Sequence, residues 1–191
     1  MMKIKICLLI AFISIGSLNY IKGQKKMQTQ IDFRYSLGLL EKGQIWNYNR
    51  NDAKMYATAF RITELYSLNN KLNVGLGIGV DKFYKPMYNT FPVFGAVQYM
   101  PLSSKNSIPY IFTNIGYGLP VQIVNPGLMT DFGLGYKLVN SKQFGLNIQL
   151  GYSYQQILAE VEISPQPANI IGNPIVFQNR HSLLFSMGMV F

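Results

Sequence analysis

The sequence predicts an all-β chain, an eight-stranded antiparallel up-and-down barrel, and three observations carry that prediction. Apolar residues make up 49% of the 191 residues and charged residues only 13%, about half the usual charged share of roughly 25%. Aromatics reach 14%, with 13 Tyr and 12 Phe beside 17 Gly, a mix that excludes both a disordered chain and a helical bundle. Eight separate stretches then alternate apolar and polar residues with period two over ten residues or more. That is the pattern of a strand with two unlike faces.

The first segment stands apart from the barrel. Lys3 and Lys5 precede an apolar run from Ile6 to Leu18, too short for a spanning helix of about 20 residues. Gly23-Gln24 then offers a small-residue processing point, so residues 1–23 read as a cleaved secretory signal peptide and 24–191 as the barrel domain. Cys7, the single cysteine, lies in this leader, and the mature chain must hold together without disulfides. Lys3, Lys5 and Lys22 leave with the leader, so the formal charge falls from +9 to +6. The remaining basic residues are scattered rather than clustered on one face, which argues against a nucleic-acid partner.

The predicted strands follow in order. Gln28 to Leu39 sets Ile31, Phe33, Tyr35, Leu37 and Leu39 against Asp32, Arg34, Ser36 and Gly38. Ala53 to Tyr66 sets Tyr56, Phe60, Ile62 and Tyr66 against Ala57, Ala59, Arg61 and Thr63. Lys71 to Phe83 is the most regular, with Leu72, Val74, Leu76, Ile78 and Val80 opposing Asn73, three glycines and Asp81. Phe91 to Met100 is weaker, because Phe94 and Met100 fall on its polar side. Ile108 to Leu119, Gly127 to Leu138 (with Asp131 and Lys137 on the polar parity), Gln143 to Gln155 and Arg180 to Phe191 complete the eight. Connections at 67–70, 101–107 and 139–142 are short, and those at 40–52, 84–90, 120–126 and 157–179 are longer. An even strand number places both ends of the barrel on the short-turn side.

The apolar face is predicted to point outward into lipid. The polar parity is mostly Gly, Ala, Ser and Asn with a few charges, unlike the charged surface of a soluble domain. Strands of ten residues or more suffice to cross a bilayer at a tilt. Outward-parity aromatics also collect at both strand ends. Tyr56, Tyr84, Phe91, Tyr117, Tyr152 and Tyr154 lie at the long-loop end, and Tyr66, Tyr99, Tyr136, Phe144 and Phe191 at the short-turn end. Two aromatic girdles flanking an aliphatic band mark a transmembrane barrel.

The leader, the eight amphipathic strands, Pro109-Tyr110 opening the fifth, and the terminal run Ser182 to Phe191 together resemble the small outer-membrane β-barrel proteins of the porin family. The resemblance spans the whole mature chain. It implies an outer-membrane location in a Gram-negative cell, with membrane lipid around the barrel. It also implies that Leu183, Phe185, Met187, Met189 and the terminal aromatic Phe191 form the signal that the barrel-assembly machinery reads. Activity is left open, because that family contains structural, adhesive and enzymatic members.

Several constellations invite chemistry. Asp32, Arg34, Arg61, Asp81, Asp131 and Lys137 share the inward parity, and Asp32, Arg34 and Arg61 are placed to meet on the first two strands. They form either a salt-bridged plug or an ion or ligand site, and the plug is expected, since eight strands leave little room beyond side chains. Gly75-Leu-Gly-Ile-Gly79 lacks the strand-to-helix turn of a dinucleotide loop; its glycines relieve crowding instead. His181-Ser182 cannot act as base and nucleophile, because neighbours on a strand point to opposite faces. With one histidine in the chain, a metal site is not expected, nor is a cofactor. Trp46 and Tyr48 in the first long loop, and Ile170, Ile171 and Phe177 in the last, are candidates for contacts outside the cell. The expectation is a monomeric, non-enzymatic membrane scaffold whose long loops bind an unidentified partner. A narrow channel for very small solutes and a lipid-modifying enzyme are the alternatives.

Overall fold

The computed structural model describes residues 26–43, 47–85, 87–102, 107–119, 124–139, 144–160 and 175–191. The leader, Trp46, Ile170 and Ile171 lie outside the described residues. Among the described residues nine strands form: β1 (Met27–Gly43), β2 (Asn47–Asn49), β3 (Tyr56–Asn69), β4 (Leu72–Tyr84), β5 (Tyr88–Tyr99), β6 (Ser107–Leu119), β7 (Val124–Val139), β8 (Gly145–Glu160) and β9 (Ile175–Val190). Sequential antiparallel pairing runs from β1 and β3 round to β9, and β9 pairs with β1. The barrel is closed with eight strands, and β2 is a short addition to the upper part of β1.

Closure fixes the geometry. From Gln30 the Cα partners run through Thr63, Gly77, Phe94, Gly116, Met129, Gln155 and Arg180 and return to β1 at Glu41. Glu41 lies eleven residues further along the strand, and the register shift between Gly38 and Leu40 accounts for one of them. A stagger of ten over eight strands corresponds to a tilt of about 40° at roughly 3.3 Å per residue and 4.8 Å between strands. Ten residues at that tilt rise about 25 Å, the height of the apolar band of an outer-membrane barrel.

Burial follows the alternation. Leu76, Leu134, Leu150 and Ile115 are 73%, 66%, 64% and 56% exposed on the outside, whereas Asp32, Asp131 and Asn147 are 0%, 1% and 0% exposed within. This inverts a water-soluble barrel: the charged and amide groups form the interior and the aliphatic groups the exterior. The two aromatic girdles stand on the outer face as the alternation requires.

Boundaries depart from the sequence reading where the chain leaves the membrane. β1 continues to Gly43, and its bulge reverses the parity, so Glu41 turns inward and becomes fully buried. Leu39 is therefore not a regular member of the outer stripe. The second barrel strand starts at Tyr56 rather than Ala53, because residues 50–55 make the step from β2 into β3. The fourth predicted strand begins at Tyr88, which leaves only Lys85, Pro86 and Met87 between β4 and β5, with Lys85 at φ 57°. Tyr48 lies on β2 and Phe177 on β9, both exposed, rather than in long loops.

The interior is filled by large side chains seated over glycines. Phe94 and Met100, the two residues that spoiled the predicted alternation of the fourth strand, point inward and are buried. A Cβ at Gly77 would lie 2.2 Å from Phe94 Cζ, and one at Gly116 would lie 2.5 Å from Phe94 Cβ. Gly77 and Gly116 thus make room for the Phe94 side chain, and Gly79 makes room for that of Arg61.

Candidate functional site

In the polar lumen charged and hydrogen-bonding groups converge from several strands, so any chemistry of the barrel interior is decided there. Alternation on β1, β3, β4 and β7 aims Arg34, Arg61, Asp81 and Asp131 inward at mid-height. Arg34 Nη1 donates to Asp131 Oδ2 at 2.6 Å across the barrel, and Arg61 Nη2 donates to Asp81 Oδ2 at 2.6 Å on the neighbouring strand. Ser153 Oγ donates to the other Asp131 oxygen at 2.7 Å. The Arg61 guanidinium also lies 5.0 Å over the Phe94 ring, a cation–π contact strengthened by the burial of both groups.

Asp32 joins neither arginine, contrary to the expected meeting of Asp32, Arg34 and Arg61. It accepts from Gln30 Nε2 at 2.6 Å and from Asn147 Nδ2 at 2.8 Å. The tilt decides Arg34: Asp32 lies two residues below it, while the tilted ladder carries Asp131, from the far side, to its height; Arg61 is the Cα partner of Asp32, but its guanidinium extends to Asp81 on β4 instead. Asn147 in turn accepts from Tyr110 Oη at 2.5 Å, and Gln149 Nε2 donates to Tyr110 Oη at 2.9 Å. Lys137 Nζ donates to Gln28 Oε1 and to Gln98 Oε1, both at 2.7 Å, and lies 5.1 Å over the Tyr110 ring. A single network therefore runs from the ion pairs down to the short-turn mouth.

Above mid-height sits a third charged pair that the sequence reading missed. Arg180 Nη1 lies 3.6 Å from Glu41 Oε2, and Arg180 Nη2 donates to the carbonyls of Tyr56 and Tyr84 at 3.2 Å. Arg180 shares the inward parity of Ser182, which was legible in the sequence. Glu41 was not, because the bulge before it flips the parity. Between the two layers lies a cavity of about 20 Å³ lined in part by Arg34, Arg61, Asp81, Asp131, Ser153 and Ser182. Arg34 Nε, Arg61 Nε and Asp81 Oδ1 have no hydrogen-bond partner among the described residues. A space of that size, with polar groups on one part of its wall and Ala57, Ala59, Phe83 and Leu184 on the rest, admits about one water, which needs roughly 10–15 Å³.

The remaining candidates fall elsewhere. His181 and Ser182 point to opposite faces: His181 Nδ1 hydrogen-bonds Tyr152 Oη on the outside, and Ser182 is buried inside. Leu183, Phe185, Met187 and Met189 form the exposed stripe of β9, and Phe191 follows at its end, 6.0 Å edge-on to Phe144. Among the described residues no group of three or more His, Cys, Asp or Glu could hold a metal ion.

No family model matches the chain, and no curated protein matches it. Among solved structures it is similar to the outer membrane protein OprG from Pseudomonas aeruginosa. The two share 13% identity over 89% of this chain and 97% of that one, at a TM-score of 0.50. Neisserial surface protein A aligns at 13% identity over 86% and 98%, with a TM-score of 0.44. The outer membrane protein AlkL, solved in DMPC lipid bilayers, aligns at 16% over 88% and 92%, with a TM-score of 0.46. At such identities the likeness to OprG speaks for the fold alone. Fold, outward apolar band and girdles agree: the chain is an eight-stranded antiparallel transmembrane β-barrel of the outer-membrane type.

Proposed function

We propose that this chain is a non-conducting, non-enzymatic scaffold of the outer membrane that holds its long-loop end outside the cell for binding or adhesion. The observation that carries this reading is the pair of buried ion pairs at mid-height, Arg34–Asp131 across the lumen and Arg61–Asp81 along its wall. Each charge offsets the other's desolvation, so opening a path would strand buried charges at several kcal/mol each. The non-enzymatic part rests on the separation of His181 from Ser182 across the barrel wall. The barrel acts as a monomer embedded in membrane lipid, and the assembly machinery reads the end of β9, with Phe191 as its terminal aromatic.

One observation favours a second reading, a narrow channel for very small solutes: the small cavity beside the ion pairs would be one station of a water thread. Liposome swelling with small sugars and planar-bilayer conductance separate the two. The scaffold reading expects no sugar uptake and no steady conductance from purified, folded protein. Reproducible single-channel steps would replace it with the channel.

A further inference from the structure

We propose that the outer face of β8, β9 and β1, at the long-loop girdle, holds the phosphate of a surrounding outer-leaflet lipid. The site rests on the reading above that the long-loop end lies outside. Lys42 and Asn179 are Cα partners, as are Tyr154 and His181, so these four side chains crowd one patch of the outer surface. Their hydrogen bonds leave donors facing out. Tyr154 Oη donates to Asn179 Oδ1 at 2.7 Å, which frees the Asn179 amide NH2. The Tyr152 hydroxyl pairs with His181 Nδ1; with the hydroxyl donating, the ring hydrogen sits on Nε2. Lys42 is exposed. Glu41, the adjacent carboxylate on β1, points into the lumen at Arg180.

Lys42, the Asn179 amide and, in that tautomer, His181 Nε2 donate to no acceptor among the described residues, and three such donors, one of them a full positive charge, suit a phosphate. Their height decides the source. Tyr152 and Tyr154 belong to the upper aromatic girdle, which sits at the lipid headgroups, and Lys42 stands just above it. A phosphate held there stays covalently tied to acyl chains that lie along the exposed aliphatic band below.

The test uses full-length folded barrel in detergent, with native mass spectrometry reading retained lipid. The probes are bisphosphorylated lipid A, its phosphate-free form, and inorganic phosphate. The unmodified protein should retain bisphosphorylated lipid A and neither of the others. Lys42→Gln alone, at an exposed position, should weaken retention about tenfold, as expected for one charge-assisted hydrogen bond; adding His181→Gln should weaken it further. Lys82→Gln, exposed on β4 two strands round from β1, should change nothing. Equal loss with Lys82→Gln would reduce the site to a general cationic rim and overturn it. Retention of phosphate-free lipid A, or binding of inorganic phosphate, would overturn it as well. Absence of lipid A retention refutes this site while leaving the scaffold reading, tested by conductance, untouched.

Discussion

Asp131 offers the sharpest test of the plugged lumen. It is 1% exposed, accepts from Arg34 at 2.6 Å through one oxygen and from Ser153 at 2.7 Å through the other. Asp131→Ala removes both acceptors and leaves a buried guanidinium without its counter-charge, at a cost of about 3–5 kcal/mol. Asp131→Asn keeps the shape and one carbonyl oxygen for Arg34, while Ser153 can turn its hydroxyl to accept. Only the charge is lost, and the cost should fall to about 1.5–3 kcal/mol, the worth of a hydrogen bond to a charged group. Arg34→Gln alone strands the Asp131 carboxylate and should cost a similar amount. The double variant Arg34→Gln/Asp131→Asn carries neither charge, so its cost should fall short of the sum of the singles by about 2 kcal/mol. Urea titrations in lipid vesicles, with folded protein scored by heat-modifiable gel mobility, supply all four corners of the cycle. Additive costs would mean that the two charges do not interact across the lumen, and the plug would lose its basis.

Other consequences follow from the same geometry. Leu150→Arg, on the lipid face within the aliphatic band, should cost about 2–4 kcal/mol in vesicles; a negligible cost there would refute the outward assignment of that face. Gly135→Ala would place a Cβ 2.1 Å from Tyr110 Cζ, pushing the ring off Asn147 and Gln149. A loss of about 1–3 kcal/mol is expected for such overpacking, and Tyr110→Leu in the same chain should restore part of it. Phe191 removal should lower the amount inserted in the outer membrane of cells. Refolding into detergent should change little, since one interfacial ring is worth only about 1.5–3 kcal/mol at most; equal insertion in cells would leave Phe191 as simply one girdle member.

Much of the fold was legible in the chain. Period-two alternation placed Asp32, Arg34, Arg61, Asp81, Asp131 and Lys137 on one face and Leu76, Ile115, Leu134 and Leu150 on the other, because a strand turns each side chain opposite to the last. Aromatics at strand ends marked the membrane boundaries, because rings with one wet and one oily edge settle at interfaces. Parity is a local property, and the sequence by itself determines it. Partner choice is not local. Whether Arg34 meets Asp32 or Asp131 depends on the stagger accumulated round eight strands, and only barrel closure sets that stagger. The same holds for Glu41, which a single bulge redirects from the outer stripe to Arg180. Tyr110 is a similar case, since its ring fits only because a glycine on the next strand, Gly135, leaves the space. Alternation assigns faces, and the tertiary structure decides who faces whom, because heights in a tilted barrel are shared between strands far apart in the chain.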